Sequence, residues 1–427
     1  MNIVLRIRLF DYVFSPIYSI ALERSPNSVF NNPYVRVIML SRVFLNLGIW
    51  VRNFAILLYV TDLTQNDPLY VSLISVAEYA PIFLFAIIGG TFADRWQPKR
   101  TMLGADMLSA LSVFLVLVAV HFGSWQALLG LTFFSAVVSQ FSQPSTMKLF
   151  KRHVPEEQLQ SLMAMFQSLV AFFMVIGPIA GAFVYQRYGI EISLVVTGAL
   201  FSGSALFLSR LPRDEKSTQP AHKPDFKREL TEGFRYVWNR PALRSLGAAF
   251  TAAGLAAGLI QPLLLFVTIE NLGKDKAFLQ WLLTANGAAM LVGGGFVMWL
   301  AKKVSPQALL AAGLAVSAIG TIGIGFSTNI PLTLLLQVVN GFLYPCIHIG
   351  INTLILKNTE SSFIGRVGGI LTPMFMGMMV IGMSLGGTLK GVFSLVAVYS
   401  ISCILFLLGA VFLLPLLKRN AVSKGSV

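Results

Sequence analysis

The chain is 427 residues long, 56% hydrophobic and only 12% charged, with a mean hydropathy of +0.74 and a formal net charge of +14. Soluble domains carry about 25% charged residues, so an aqueous surface cannot be built from this mixture. Both cysteines, Cys346 and Cys403, sit inside apolar runs, which excludes a disulfide framework and a paired-cysteine metal site.

Residues 1–35 carry Arg6, Arg8 and Asp11 within their apolar stretch and lack a small-residue cleavage pattern, so they do not read as a signal peptide. They are expected to form a basic, partly amphipathic arm on the cytoplasmic face. A bilayer-crossing helix needs about 20 mostly apolar residues. Such runs occur at about 37–60, 68–92, 101–121, 125–146, 160–185 and 190–210, and again at about 246–269, 277–300, 306–327, 330–356, 364–389 and 393–417. Turn residues separate them, as at Asn66-Asp67-Pro68 and Asn329-Ile330-Pro331. The expected fold is an all-α polytopic membrane protein of twelve transmembrane helices. Six fall in residues 36–210 and six in 246–417, joined by a linker at 211–245 and followed by a cytoplasmic tail at 418–427.

Basic residues set the orientation. With both termini inside, 26 of the 32 Lys and Arg residues fall in the tails and cytoplasmic loops. The outer loops hold only Arg187, Lys274, Lys276 and Lys390, and Arg42 and Arg52 lie within the first span. This asymmetry follows the positive-inside rule and places the protein in a cytoplasmic membrane, among anionic lipids rather than on nucleic acid. Within the linker, Phe226, Leu230, Phe234 and Trp238 recur every four residues, with Lys227, Arg228 and Arg235 off that face. The spacing predicts an amphipathic helix on the inner membrane surface, acting as a tether.

A shift of about 204 residues superposes Gly89-Gly90 on Gly293-Gly294 and Glu156 on Glu360; one residue more brings Gly177 and Gly181 onto Gly382 and Gly386. Two related halves with a site between them are the usual architecture of secondary transporters.

The loop after the second span reads GGTFADRWQPKRTMLGADMLSA. It resembles the 2–3 loop signature of the major facilitator superfamily, through Gly90, Asp94, Arg95, Lys99 and Arg100. Gln97 replaces the usual second glycine. Together with Asp106 in the third helix and ELTEGFRYVWNRPALR in the linker, this departure resembles the macrolide-efflux and enterobactin-exporter branch of drug:proton antiporters. The likeness spans residues of about 36–417. It implies a gating role for Asp94, which in the family steadies the outward-facing state. Gly177, Pro178 and Gly181 resemble the core of the antiporter motif, although Ala182 and Phe173 depart from it. The Arg-containing motif of helix 4 is absent.

Ionisable groups at bilayer depth are costly and tend to be functional. Glu78 and Arg52 stand at similar depth on adjacent helices, as do Arg42 and Asp106 nearer the inner side. Arg42 and Asp106 read first as a static ion pair; Glu78 and Arg52 read equally as a static pair or as proton-coupling machinery, for which His348 is a further candidate. Asn340, Tyr344, His348 and Asn352 form an i+4 stripe on helix 10. The resemblance places helices 1, 4, 7 and 10 around the cavity, which adds Asn46, Asn53, Gln140, Gln143 and Gln261 as substrate-cavity candidates. No phosphate-binding GxxxxGK[ST] loop and no HExxH is present, so neither ATP hydrolysis, a metal nor another cofactor is expected.

The expected function is export of small amphipathic compounds (drugs, toxins or siderophores) by proton antiport, the protein acting as a monomer and not as an enzyme. A lysophospholipid or other lipid-like transporter, a solute importer, and a non-transporting membrane sensor or assembly factor stay open.

Overall fold

The computed structural model describes residues 29, 32–95, 97–212, 226–360 and 363–416, with the side chains of 86–95, 226, 227, 229 and 230 outside that description. The N-terminal arm up to residue 28, the C-terminal tail and the side chains of Gly90, Asp94 and Arg95 therefore lie outside the described residues.

Among the described residues every regular element is helical. The first group is α1 (Pro33–Leu63), α2 (Pro68–Arg95), α3 (Pro98–His121), α4 (Ala127–His153) and the long helix Glu156–Ser209. Gly189 adopts φ 74°, ψ −173° and breaks that last helix into α5 (156–188) and α6 (190–209). Helix α7 (Phe226–Asn239) leads to the second group: α8 (Pro241–Ile260), α9 (Leu279–Leu300), α10 (Pro306–Phe326), α11 (Ile330–Asn358), α12 (Ile364–Val392) and α13 (Leu395–Val411).

Local chemistry explains these boundaries. Proline opens α1, α2, α3, α8 and α10, where its missing N–H costs nothing. Asn32, Ser305, Asn329 and Ser394 cap α1, α10, α11 and α13, each side chain accepting from a first-turn N–H.

Among the described residues ten helices are long and apolar enough to cross a bilayer. A count of twelve requires taking the two limbs about Gly189 separately and adding α4, whose Ser139–Thr146 stretch is rich in hydroxyls and amides. One expected boundary moves. The run at 246–269 is not one helix: α8 ends at Ile260, a turn follows, and the chain resumes as Leu264–Phe266 and π-helical Val267–Asn271. Pro262 lacks the N–H and crowds the preceding turn, which favours the break seen there.

In the first group α1 packs on α5 and α6, α2 on α4, and α3 on α4 and α6; in the second, α8 packs on α12 and α13, α9 and α10 on α11, and α10 on α13. The repeat is visible as a repeated contact. Gly177 and Gly181 lie against Trp50 and Phe54 of α1, and Gly382 and Gly386 lie against Leu255 and Leu259 of α8. One shift carries both residue pairs of the first contact onto the second. A Cβ at Gly181 would stand 2.6 Å from the Trp50 carbonyl oxygen, and one at Gly382 would stand 2.6 Å from that of Leu255. Glycine is required for backbones this close. Large apolar side chains such as Leu115, Val292 and Ile319 remain well exposed around the molecule, a surface suited to lipid.

The two groups meet where α2 faces α12 and α5 faces α9. At the end away from the basic loops, Asp62 of α1 pairs with Lys276 ahead of α9 and accepts a 3.1 Å bond from the Tyr185 hydroxyl of α5. Thr284 of α9 donates to the Val175 carbonyl of α5 at 3.0 Å, and Gly387 lies against Pro68 and Ser72.

Candidate functional site

The mid-span charges of α1 and α2 are not in direct contact. Arg52 donates to the side-chain oxygen of its neighbour Asn53 through Nε (3.0 Å) and a terminal nitrogen (2.8 Å). Asn53 in turn donates through Nδ2 to Glu78 Oε1 at 2.7 Å. The expected pair is thus a relay in which a neutral amide separates guanidinium from carboxylate. An amide has both a donor and an acceptor, so it can satisfy both charges without direct contact.

Nearer the basic end the expected Arg42–Asp106 couple is also indirect. Arg42, buried, donates to Ser142 Oγ at 3.0 Å and to Thr146 Oγ1, both on α4, while its Nε has no partner. Asp106, 1% exposed on α3, accepts a 2.5 Å bond from Ser204 of α6. Ser204 Oγ in turn lies 2.8 Å from Ser41 Oγ. Hydroxyls therefore stand on each charge in place of a direct ion pair. Their signal was present in the sequence, because Ser135, Ser139, Ser142 and Thr146 recur at three- and four-residue spacing on α4.

Of the helix 10 stripe, now α11, Tyr344, His348 and Asn352 share an exposed face. The Tyr344 hydroxyl lies 3.2 Å from His348 Nε2, and Tyr79 of α2 lies within electrostatic reach of both Tyr344 and Glu78. Asn340 leaves the stripe. Its side chain fills the space above Gly320 of α10, with Oδ1 buried and unpartnered. The α11–α10 contact captured it, which spacing alone does not reveal.

The remaining candidates divide. Gln143 and Gln261 are exposed, Gln140 is buried and donates to Ser139 Oγ at 3.1 Å, and Asn46 is spent on the Arg42 carbonyl at 2.8 Å. In the 2–3 loop, Lys99 Nζ donates to the Ser209 carbonyl at 3.0 Å and to that of Leu211, capping the end of α6. Arg100 is exposed. Gly177 and Pro178 are buried at the α5–α1 contact.

The linker also departs from expectation. Phe234 and Trp238 are exposed and stacked on one another, as an interfacial face requires. The opposite face is docked, however. Tyr236 stacks on Phe363 with centroids 4.2 Å apart and accepts the Glu360 backbone N–H through its hydroxyl at 3.0 Å. Arg240 pairs with Glu360, and Glu232 bridges Arg228 (2.8 Å) and Arg366 (3.4 Å). The exposed Arg228 holds the Glu232 carboxyl below its usual range. Helix α7 is thereby clasped to the base of α12, which makes it more than a tether.

Residues 24–424 match the model of the family described as transmembrane secretion effector, MFS_3. The chain belongs to this family of major facilitator transporters. Among relatives of this family member, the multidrug efflux pump Tap of Mycolicibacterium fortuitum is 26% identical, over 84% of this chain and 91% of that one. Macrolide efflux protein A of Streptococcus pyogenes is 24% identical, over 57% and 61%. Among solved structures, the nucleoside transporter NupG superposes with a TM-score of 0.71 at 13% identity, covering 91% of this chain and 99% of that one. That likeness shows the fold alone. The transporter fold and membership of an efflux-related family thus stand together, and they agree with the resemblance carried by the 2–3 loop and the linker.

Proposed function

We propose that the protein exports small amphipathic compounds across the cytoplasmic membrane by proton antiport, through alternating access of its two helix groups. One observation carries the coupling half of the proposal: a single mid-span carboxylate, Glu78, is held off its nearest cation by an amide that can exchange partners. Protonation of Glu78 would release Asn53, and with it Arg52, changing how α1 and α2 are tied. The Tyr344–His348 face, across from Tyr79, offers aromatic and hydrogen-bonding contact to a ligand in the central space. The latch of Asp62 and Lys276 lies at the end poor in basic residues, which the charge asymmetry assigns to the outside. The structure is accordingly read as closed outward. The names of the efflux relatives support direction and ligand class.

The test is accumulation of a broad compound panel in cells with and without the protein, repeated with the proton gradient collapsed. Lower accumulation that depends on the gradient is expected. Equal accumulation of every compound would overturn export, and gradient-independent export would overturn antiport.

A further inference from the structure

A cavity of about 170 Å³ lies inside the first helix group. Its lining comes from α1, α2, α3, α4 and Phe201 of α6, all in the first helix group. Both membrane carboxylates border it: Glu78 on one side and Asp106 on another, with Arg52, Ser109, Ser135 and Ser139 between them. Ser142, also on its wall, is the residue that holds Arg42.

An apolar void of this size would stay dry; most of this wall is apolar too, but two carboxylates, Arg52 and four serines border it, and Ser135 Oγ is buried with no hydrogen-bond partner. A water needs about 10–15 Å³ and two to four polar partners, and the space admits several waters with ionisable and hydroxyl groups spaced around them. Leaving a carboxylate facing an empty low-dielectric void is costly, and hydration is the cheapest relief. The geometry also separates the two acids. Glu78 is half-buried beside Tyr79 on its own helix, whereas Asp106 is 1% exposed and borders the cavity.

We propose that this chamber is a water-filled proton conduit joining Glu78 to Asp106, set apart from the substrate's path. It deepens the proton-driven reading above and rests on it for its purpose. Asp106 is then a second protonation station. Its carboxylic acid gives its proton to a chamber water, and the resulting hydronium gives one to the Glu78 carboxylate, so the charge of the two acids together is unchanged. Each acid faces groups that respond to the transfer. Asp106 faces Ser204 of α6, with Ser41 and Arg42 of α1 behind it; Glu78 faces Asn53 and Arg52 of α1 and Tyr79 on its own helix. Separation of the proton and substrate compartments would let a bulky ligand occupy the central space without blocking proton movement.

Hydrogen–deuterium exchange of the two carboxyl groups tests the chamber without any substrate. The purified full chain in lipid nanodiscs is transferred to D₂O at a pH where the acids are protonated. The infrared carboxyl stretches are followed, each assigned by its loss in Glu78→Gln or Asp106→Asn. Both bands should exchange fast, at rates resolved by rapid-mixing infrared spectroscopy. Ala136→Leu, which fills the α4 wall, should slow the Asp106 band at least tenfold and leave the Glu78 band within twofold, while Ala136→Gly should leave both fast. Should Ala136→Leu fail to fold, Ser109→Val on the α3 wall serves the same purpose. An Asp106 band that does not exchange in the unaltered protein, or one indifferent to the filling variants, would overturn the proposal. These outcomes are independent of transport: gradient-insensitive efflux refutes antiport, whereas the exchange rates decide the chamber.

Discussion

In the orientation proposed above, breaking the Asp62–Lys276 latch should shift the balance between outward-closed and outward-open forms by a calculable amount. Asp62 accepts from Lys276 and from the Tyr185 hydroxyl, so Asp62→Asn removes one ion pair and weakens one charge-assisted hydrogen bond. The carboxylate is 55% exposed and the ammonium 20% exposed. Solvent screening therefore limits the pair to the upper part of the surface range, about 0.5–1 kcal/mol, and the tyrosine bond adds about 0.5 kcal/mol net once discounted in the same way. A loss of about 1 kcal/mol raises the outward-open fraction about fivefold, since about 1.4 kcal/mol is tenfold. The assay uses a single cysteine at Thr284, which in the closed form faces the Val175 carbonyl of α5, with Cys346 and Cys403 replaced by serine. Its labelling rate by an impermeant thiol reagent should rise about fivefold in Asp62→Asn. Lys276→Gln should do the same, and the double variant should add little because both remove one interaction. An unchanged rate in either single variant, or full additivity, would refute the latch.

Glu78→Gln should yield a folded protein that exchanges substrate across the membrane but no longer concentrates it against a gradient; retention of full gradient-driven efflux would remove Glu78 from coupling. Gly181→Ala should lower thermal stability by about 1–3 kcal/mol through overpacking, because its Cβ would meet the Trp50 carbonyl; an unshifted melting temperature would contradict the close α1–α5 approach. For topology, a cysteine at Ser124 should label from outside intact cells and one at Lys302 should not; the reverse pattern would invert the orientation. The Glu232 carboxyl is held below its usual range chiefly by its bond from Arg228. Its contribution to docking α7 is therefore present above the ordinary carboxylate range and lost only as pH falls through the lower, bound value. Emission from a protein retaining only Trp238 should stay constant through pH 5, and a transition there would contradict the docked carboxylate.

The helical, bilayer-spanning character of this chain was legible in its residues because it rests on local and summed properties. Runs of about 20 apolar residues must satisfy their own backbone in lipid, prolines and capping side chains mark where they start, and the basic loops give a direction. The glycine repeat was legible for a related reason: close backbone contact tolerates no side chain, so the same contact made twice leaves the same residue twice. Pairwise chemistry was not legible. Glu78, Arg52, Arg42 and Asp106 stood out as costly charges, yet depth alone suggested direct ion pairs. Tertiary packing instead placed Asn53 between one couple and the hydroxyls of Ser142, Thr146 and Ser204 on the other. The same holds for Asn340, turned by the Gly320 contact out of the stripe its spacing implied, and for α7, whose docked face depends on the distant Glu360, Phe363 and Arg366. Periodicity reports which face of a helix a residue occupies. What that face meets, a partner helix, lipid or a cavity, depends on residues from twenty to more than a hundred positions away and is decided only when the helices pack.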